Sequence, residues 1–166
     1  MRLSFVPLAL FITVFMQCNQ RHEKNITKTE LELNTPIAKE NIIEDTLELR
    51  TKADLLYGNK QYKEALDIYK HLVSIDSTNG HFYYRIGYSL MQFDDRQKEG
   101  VEFFLKAASL NYKKADAYYN LAVIYEVLFD DYPKAIIYYK KCLEFDPSNE
   151  EAKDMLIELE SDIKLL

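Results

Sequence analysis

The apolar positions between residues 80 and 145 follow the period of an α-helix, in two sets with the same spacing. Each set has apolar or small residues at i, i+3, i+4 and i+7, which places them on one face of a helix. Polar turns at 93–95 and 129–131 follow the sets, and further helical patterns run from Lys98 to Leu110 and from Pro133 to Phe145. The pattern therefore predicts pairs of helices. The two sets are Tyr83, Ile86, Gly87 and Leu90, and then Tyr118, Leu121, Ala122 and Tyr125.

A triplet of a small, an aromatic and a modest apolar residue lies on the second helix of each predicted pair. Its three copies are 35 residues apart: Ala65, Tyr69 and Leu72; Gly100, Phe104 and Ala107; Ala135, Tyr139 and Cys142. A fixed period of this size is typical of stacked repeats, in which one helix pair is copied side by side. We expect the small residues to let paired helices approach to about 8–10 Å, with the aromatic ring filling the remaining space.

These positions resemble the motif of the tetratricopeptide repeat (TPR). The first helix of that motif carries an aromatic residue, a leucine, a small residue and a tyrosine. The second carries an alanine, an aromatic residue, an alanine and a proline. Residues 115–149 fit nearly completely, with Pro147 in the last position, and residues 80–114 and 46–79 fit less fully, with Lys52 breaking the pattern in the first copy. The resemblance implies an all-α fold, a right-handed α-solenoid of three helix-turn-helix repeats.

Residues 150–166 carry one further apolar stripe. The last repeat of a solenoid exposes its apolar face unless a terminal helix covers it. We therefore expect a C-terminal capping helix here, and dimerisation through the same stripe is the alternative. The stripe consists of Ala152, Leu156, Leu159, Ile163 and Leu166.

The N-terminus has the pattern of an export signal. Residues 1–17 contain a positive charge and then an apolar stretch that is too short to span a membrane but suits the core of a secretory signal. An apolar stretch that ends at a cysteine, here Cys18, resembles a bacterial lipoprotein signal, although Gln17 stands where that family usually has a small residue. The resemblance implies acylation of Cys18 and attachment to a lipid bilayer of the bacterial cell envelope, facing the periplasm or the cell surface.

Two other interpretations of the N-terminus stay open, an uncleaved signal anchor and a secreted chain with an unmodified cysteine. Residues 18–45 follow as a charged tether without aromatic residues, and a helical pattern starts in it at about Ile37. The repeats then begin at residue 46.

The composition excludes several classes of function. A net charge of −6 disfavours nucleic acid as a partner, because proteins that bind it normally carry a basic stripe. The histidines, His22, His71 and His81, lie at no spacing that suits a metal site, and the four glycines are isolated rather than grouped in a phosphate-binding loop. Cys142 occupies a core position of its helix. The sequence therefore predicts neither an enzyme nor a bound metal or cofactor.

The TPR resemblance also implies where a partner binds. In this family the first helix of each pair lines a concave groove, and the positions that face it lie beside the packing stripe. Some TPR proteins hold a carboxylate there with a clamp of lysine, asparagine and arginine residues. Here that clamp is mostly absent, because two of its five positions are acidic, and the groove is rich in tyrosine instead. The five positions are Arg50, Asp54, Arg85, Asp116 and Asn120. The implied groove residues are Arg50, Asp54, Tyr57, Tyr84, Tyr88, Met91, Tyr119, Val123 and Glu126.

Two functions follow from these observations. The first is a membrane-anchored adaptor that binds a protein or peptide segment in the groove, where tyrosines suit a segment with apolar or aromatic anchors. The second is a structural subunit whose repeats and last helix pack into a homo-oligomer or an envelope assembly. The groove tyrosines have an alternative role as well, as packing residues beneath the neighbouring repeat.

Overall fold

The computed structural model describes the backbone of residues 36–164 and the side chains of residues 43–162. Contacts between Cα atoms divide the chain into two units, residues 1–45 and residues 46–166. Of the first unit only the C-terminal part is described, and it forms the start of a helix. The predicted signal segment, Cys18 and the greater part of the tether lie outside the described residues.

Seven α-helices make up the described part of the chain, which contains no β-strand. They are α1 (Pro36–Gly58), α2 (Tyr62–Ile75), α3 (Gly80–Leu90), α4 (Gly100–Ser109), α5 (Lys114–Val127), α6 (Tyr132–Phe145) and α7 (Glu150–Lys164). The first six form three successive helix-turn-helix repeats, and α7 follows them. The predicted all-α solenoid of three repeats with a terminal helix is confirmed. Within the described part of the chain, no helix has both the length and the apolar composition to cross a membrane.

The start of α4 differs from the prediction. The pattern places it at Lys98, whereas Gln97–Glu99 form a 3₁₀ turn and the α-helix starts at Gly100. The periodicity of side chains cannot separate these two, because a single 3₁₀ turn has nearly the same spacing as an α-helical turn.

Polar side chains determine where two of the helices begin. The Asn79 side chain accepts a hydrogen bond of 3.2 Å from the backbone N–H of His81 at the start of α3. Asp131 accepts one of 3.1 Å from the backbone N–H of Lys134 at the start of α6. Pro133 lies in the first turn of that helix, where its missing N–H would have had no intrahelical partner. These caps satisfy backbone donors that the helices leave unpaired.

Small residues form the contact between the two helices of each repeat. A Cβ atom built on Gly100 would lie 3.2 Å from the carbonyl oxygen of Gly87, so the backbones of α3 and α4 approach closely. The three triplet aromatics, Tyr69, Phe104 and Tyr139, are at most 1% exposed and fill the remaining space. The predicted packing is thereby confirmed. The six small residues, all buried, are Ala53, Ala65, Gly87, Gly100, Ala122 and Ala135.

Three apolar clusters connect each repeat to the next element. The first cluster joins α1, α2 and α3, the second joins α3, α4 and α5, and the third joins α5, α6 and α7. In the third cluster, Ala152 and Leu159 of α7 are buried together with Tyr139 and Cys142. Helix α7 therefore covers the last repeat in the way a following repeat would. The side chains of Ile163 and Leu166, predicted on the same stripe, lie outside the described residues.

Candidate functional site

The first helices of the repeats, α1, α3 and α5, carry the nine residues that the sequence places in a groove. Eight of the nine side chains keep at least part of their surface in contact with solvent, and only Tyr84 is buried. These eight residues form two groups, one at the junction of the first two repeats and one on the third repeat. The eight are Arg50, Asp54, Tyr57, Tyr88, Met91, Tyr119, Val123 and Glu126.

Tyr84 is a packing residue of the second cluster. It is 7% exposed, and its ring centroid lies 5.7 Å from that of Phe104 and 5.9 Å from that of Tyr112. The ammonium group of Lys113 lies 5.2 Å from the ring centroid. Burial raises the pKa of Tyr84. Tyr84 therefore has the alternative role given above: it packs inside the repeats and does not line the groove surface.

A polar cluster lies at the junction of the first two repeats, around the carboxylate of Asp54. Tyr69 donates its hydroxyl hydrogen to Asp54 Oδ1 over 2.6 Å. Arg50 Nε lies 3.6 Å from Oδ2, and Arg85 Nε lies 3.8 Å from Oδ1. His81 Nε2 lies 3.3 Å from the same oxygen. The carboxylate is therefore surrounded by side chains of α1, α2 and α3, which fixes its direction.

His81 lies beside both Asp54 and Arg85. Its side chain is mostly buried, and its Nε2 accepts a hydrogen bond of 2.9 Å from Arg85 Nε. Burial lowers the pKa of His81, and the guanidinium groups of Arg85 and Arg50 act in the same direction, against Asp54. The imidazole is therefore neutral at pH 7. Two guanidinium groups and one carboxylate remain charged, so the cluster carries one net positive charge.

Tyrosine rings form a wall beside this cluster. Tyr57 and Tyr62 meet edge to face with centroids 5.4 Å apart, and Tyr57 and Tyr88 lie 5.7 Å apart. The guanidinium carbon of Arg85 lies 4.1 Å from the centroid of Tyr57, within the range of a cation–π interaction. Burial raises the pKa of Tyr57 to about 12, with Arg85 opposing the shift. The hydroxyl group of Tyr57 therefore stays protonated at neutral pH and can donate a hydrogen bond.

The third repeat gives the groove an acidic end. Tyr139 donates its hydroxyl hydrogen to Glu126 Oε2 over 2.7 Å. The ring of Tyr119 lies 5.8 Å from that of Tyr139, and burial followed by the charge of Glu151 raises the pKa of Tyr119. Among the described residues, no arginine pairs with the carboxylates of Glu126 and Glu151 as Arg50 and Arg85 pair with that of Asp54. The charge along the groove therefore changes from net positive to net negative between the first and third repeats.

Several residues of this site escaped the sequence reasoning. His81 lies four residues before Arg85, a carboxylate-clamp position, and this spacing was readable as one helix face. The hydroxyl groups of Tyr69 and Tyr139 reach from the second helix of a repeat to a groove carboxylate on the first, a role hidden by their place in the packing triplet. Tyr62, at the start of α2, belongs to the aromatic wall although it lies outside the first helices.

The positions that correspond to a carboxylate clamp are largely occupied by interactions within the chain. Lys113 pairs with Asp116 over 2.9 Å at the start of α5, and Asn120 donates to the backbone carbonyl of Asp116 over 2.8 Å. Arg50 and Arg85 share the carboxylate of Asp54, and their side chains are still 46% and 29% exposed.

Comparison with known proteins agrees with this architecture. Residues 115–149 match the family model of the tetratricopeptide repeat. No curated protein has a significant sequence match to the chain. The arrangement of the helices is that of a TPR-like solenoid, and residues 115–149 are the repeat that matches the family model.

Several solved structures superpose on the chain at low sequence identity. The first TPR of Spaghetti (RPAP3), bound to an HSP90 peptide, is 21% identical with a TM-score of 0.64, over 73% of this chain and 94% of that one. The type III secretion chaperone SycD of Yersinia enterocolitica, in complex with a peptide of the translocator YopD, is 17% identical with a TM-score of 0.63, over 71% and 95%. MamA is 22% identical with a TM-score of 0.66, over 86% and 84%.

Proposed function

We propose that the protein is a non-catalytic adaptor that binds a segment of a partner protein in the groove formed by α1, α3 and α5. The observation that carries the proposal is the junction of the first two repeats. Two partly exposed guanidinium groups, those of Arg50 and Arg85, lie there beside the carboxylate of Asp54. The guanidinium group of Arg85 also lies over the ring of Tyr57, which contacts that of Tyr88. Tyrosine and arginine are the side chains most often responsible for affinity in protein interfaces.

The structural neighbours support the same kind of ligand. The Spaghetti and SycD structures each contain a bound peptide, and YrrB, 24% identical with a TM-score of 0.60, is a TPR protein with an unusual peptide-binding site. The tyrosine wall of the present groove provides flat apolar surfaces with hydroxyl donors, which suit an apolar or aromatic side chain of such a segment.

The charges define how a segment would lie. Its acidic group would meet Arg50 and Arg85, and a basic group would meet Glu126 on the third repeat. Opposite charges across an interface determine orientation and partner choice more than affinity. The preferred segment therefore carries an acidic residue, an apolar or aromatic residue and a basic residue in this order along the groove, from the first repeat to the third.

We further propose that the adaptor is anchored in the bacterial cell envelope through acylated Cys18. The support is the short apolar stretch of residues 3–16 that ends near this cysteine. Two acyl chains or more hold a protein on a bilayer far longer than one does. Metabolic labelling with an alkyne fatty acid should mark the protein, and Cys18→Ala should abolish the label; labelling that persists in this variant would reject the anchor.

The groove proposal is tested by affinity capture from membranes with the full-length protein, followed by mass spectrometry. The test variant combines Arg50→Ala with Tyr88→Ala, both at solvent-accessible groove positions. Ile157→Ala is the matched control, because Ile157 is 68% exposed on α7, outside the groove. We expect the control to retain the partners of the native protein and the groove variant to lose them, with unchanged circular dichroism. Equal recovery by all three proteins would reject the groove as the binding surface.

A further inference from the structure

We propose that a second surface, on the seam between α5 and α6, binds an acidic segment of a partner protein. It consists of a row of aromatic rings on the third repeat with lysine side chains lying over them, and we call it the lysine–aromatic face. Its lysines are Lys98, Lys114, Lys134 and Lys141.

The rings form one continuous row. Neighbouring ring centroids are separated by 5.8, 6.2, 5.3 and 5.3 Å, and the planes of the first four rings are within 25° of parallel. In order, the rings are those of Phe145, Tyr118, Tyr138, Tyr125 and Phe129. The row therefore crosses from α6 to α5, back to α6 and again to α5, ending in the turn after α5.

Each part of the row has a lysine over it. Lys114 Nζ lies 4.8 Å from the centroid of Phe145, and Lys141 Nζ lies 5.5 and 5.3 Å from those of Tyr118 and Tyr138. Lys134 lies over Tyr125, and Lys98, from the second repeat, lies 4.8 Å from Phe129. The rings hold the ammonium groups in place, so less side-chain freedom is lost when these groups bind an anion.

Most of these ammonium groups have no carboxylate beside them. Lys134 pairs with Asp131 over 2.7 Å. For Lys98, Lys114 and Lys141, no carboxylate oxygen of the described residues lies within 4.0 Å. The whole chain has a net charge of −6, whereas these lysines without carboxylate partners give this surface a local positive charge. Its complement is an anionic partner.

The positions of the lysines over the rings favour an acidic polypeptide over nucleic acid as the anionic partner. Bases of single-stranded nucleic acid bind by stacking on free aromatic faces, and here the lysine side chains lie over those faces. Phe129 and Phe145, at the two ends of the row, are 43% and 50% exposed, and Ile137 between Lys134 and Lys141 is 51% exposed. The face therefore alternates cations with apolar side chains. It fits a segment in which acidic residues alternate with aromatic or aliphatic ones.

The second repeat contains a shorter version of the same arrangement. Tyr83 and Phe103 have ring centroids 6.4 Å apart, and Lys106 Nζ lies 5.8 Å from that of Tyr83. These three positions precede Tyr118, Tyr138 and Lys141 by 35 residues. The arrangement thus follows the repeat itself, so a longer acidic segment would find a further cation in register on the neighbouring repeat.

The lysine–aromatic face is distinct from the groove. Tyr118 and Tyr125 are seven residues apart and share one face of α5. Tyr119 and Glu126, also seven apart, share another face about 100° around the helix. Substitutions can therefore address one surface at a time, and the two proposals can fail separately.

The test uses the full-length protein in a non-ionic detergent and a fluorescein-labelled peptide in which two phenylalanines separate three pairs of glutamates. Fluorescence anisotropy gives the affinity of the native protein, of Lys114→Glu with Lys141→Glu, and of the charge-matched control Lys63→Glu with Lys70→Glu on exposed positions of α2. We expect roughly a tenfold weaker affinity for the face variant, the equivalent of two exposed ion pairs, and little change for the control. The groove variant Arg50→Ala with Tyr88→Ala should bind the peptide normally.

Four results would overturn the proposal. Equal loss in the face variant and in the control would show that net charge alone governs binding. Equal affinity of the native protein and the face variant would place the peptide elsewhere, and loss in the groove variant alone would place it in the groove. Tighter, lysine-dependent binding of an eight-residue oligothymidylate than of the peptide would assign the face to nucleic acid.

Discussion

Tyr69→Phe removes one buried hydroxyl group and leaves the rest of the first repeat unchanged. The hydroxyl donates to Asp54 Oδ1 over 2.6 Å, and Tyr69 is fully buried. A hydrogen bond to a charged group typically contributes about 1.5–3 kcal/mol. The Asp54 side chain is 34% exposed and keeps its ion pairs, so water and the neighbouring cations compensate part of the loss. We expect a decrease in the free energy of unfolding of about 1–1.5 kcal/mol.

Urea unfolding followed by circular dichroism measures this change, and Asp54→Ala with the double variant completes a mutant cycle. The other repeats provide internal controls. Tyr139→Phe should cost a similar amount, because its hydroxyl donates to Glu126 over 2.7 Å. Phe104→Tyr, the opposite exchange, should also lower stability, because it adds a hydroxyl group at a fully buried site. A Tyr69→Phe variant as stable as the native protein, or a cycle without coupling between Tyr69 and Asp54, would refute the assignment of this hydrogen bond.

Two further predictions concern stability. Because burial lowers the folded-state pKa of His81 from 6.5, the unfolded chain binds a proton first as the pH falls, so stability should decline below about pH 6.5. His81→Gln should flatten this decline in urea midpoints measured from pH 7.5 to 5, and His71→Gln, at an exposed site, should not. Gly80→Ala should cost about 1–3 kcal/mol, since the added Cβ would lie 2.5 Å from that of Tyr112. Gly58→Ala, with no atom within 4 Å, should not lower the thermal midpoint.

The helix pairs and their packing were predictable because the signals for them are local or periodic. The stripe of Ile86 and Leu90 needs only the helical period, and the triplets need only the interval of 35 residues. Burial of Ala65 and Tyr69 then follows from the close approach of two helices, whatever the rest of the chain does.

The groove was less predictable because its details depend on residues that are distant in sequence. Tyr84 shares a helical face with Tyr88, yet Tyr112, from the loop between α4 and α5, packs against its ring and helps to bury it. Loop side chains follow no helical period, so no spacing indicates this contact. The same holds for His81, which is next to Asp54 only because α3 packs against the first repeat.

The lysine–aromatic face shows a further limit. Lys141 and Tyr138 are three residues apart on one helix, a spacing that permits contact. Lys98 and Phe129 are far apart in sequence, and they meet only because the repeats stack. An overall charge of −6 says nothing of such a local reversal of sign, since net charge averages over the surface.

The three apolar clusters are arranged one after another along the chain, and this order determines where unfolding can start. Each cluster depends on the helix that follows its repeat, so unfolding can proceed from the C-terminal end by fraying, one helix at a time, as in a linear array of coupled units. The thiol of Cys142 lies in the cluster that α7 covers, and burial raises its pKa to about 11. It becomes reactive only when that end detaches. The rate at which a thiol reagent modifies Cys142 therefore reports the local opening of the last repeat, separately from the cooperative unfolding of the other two.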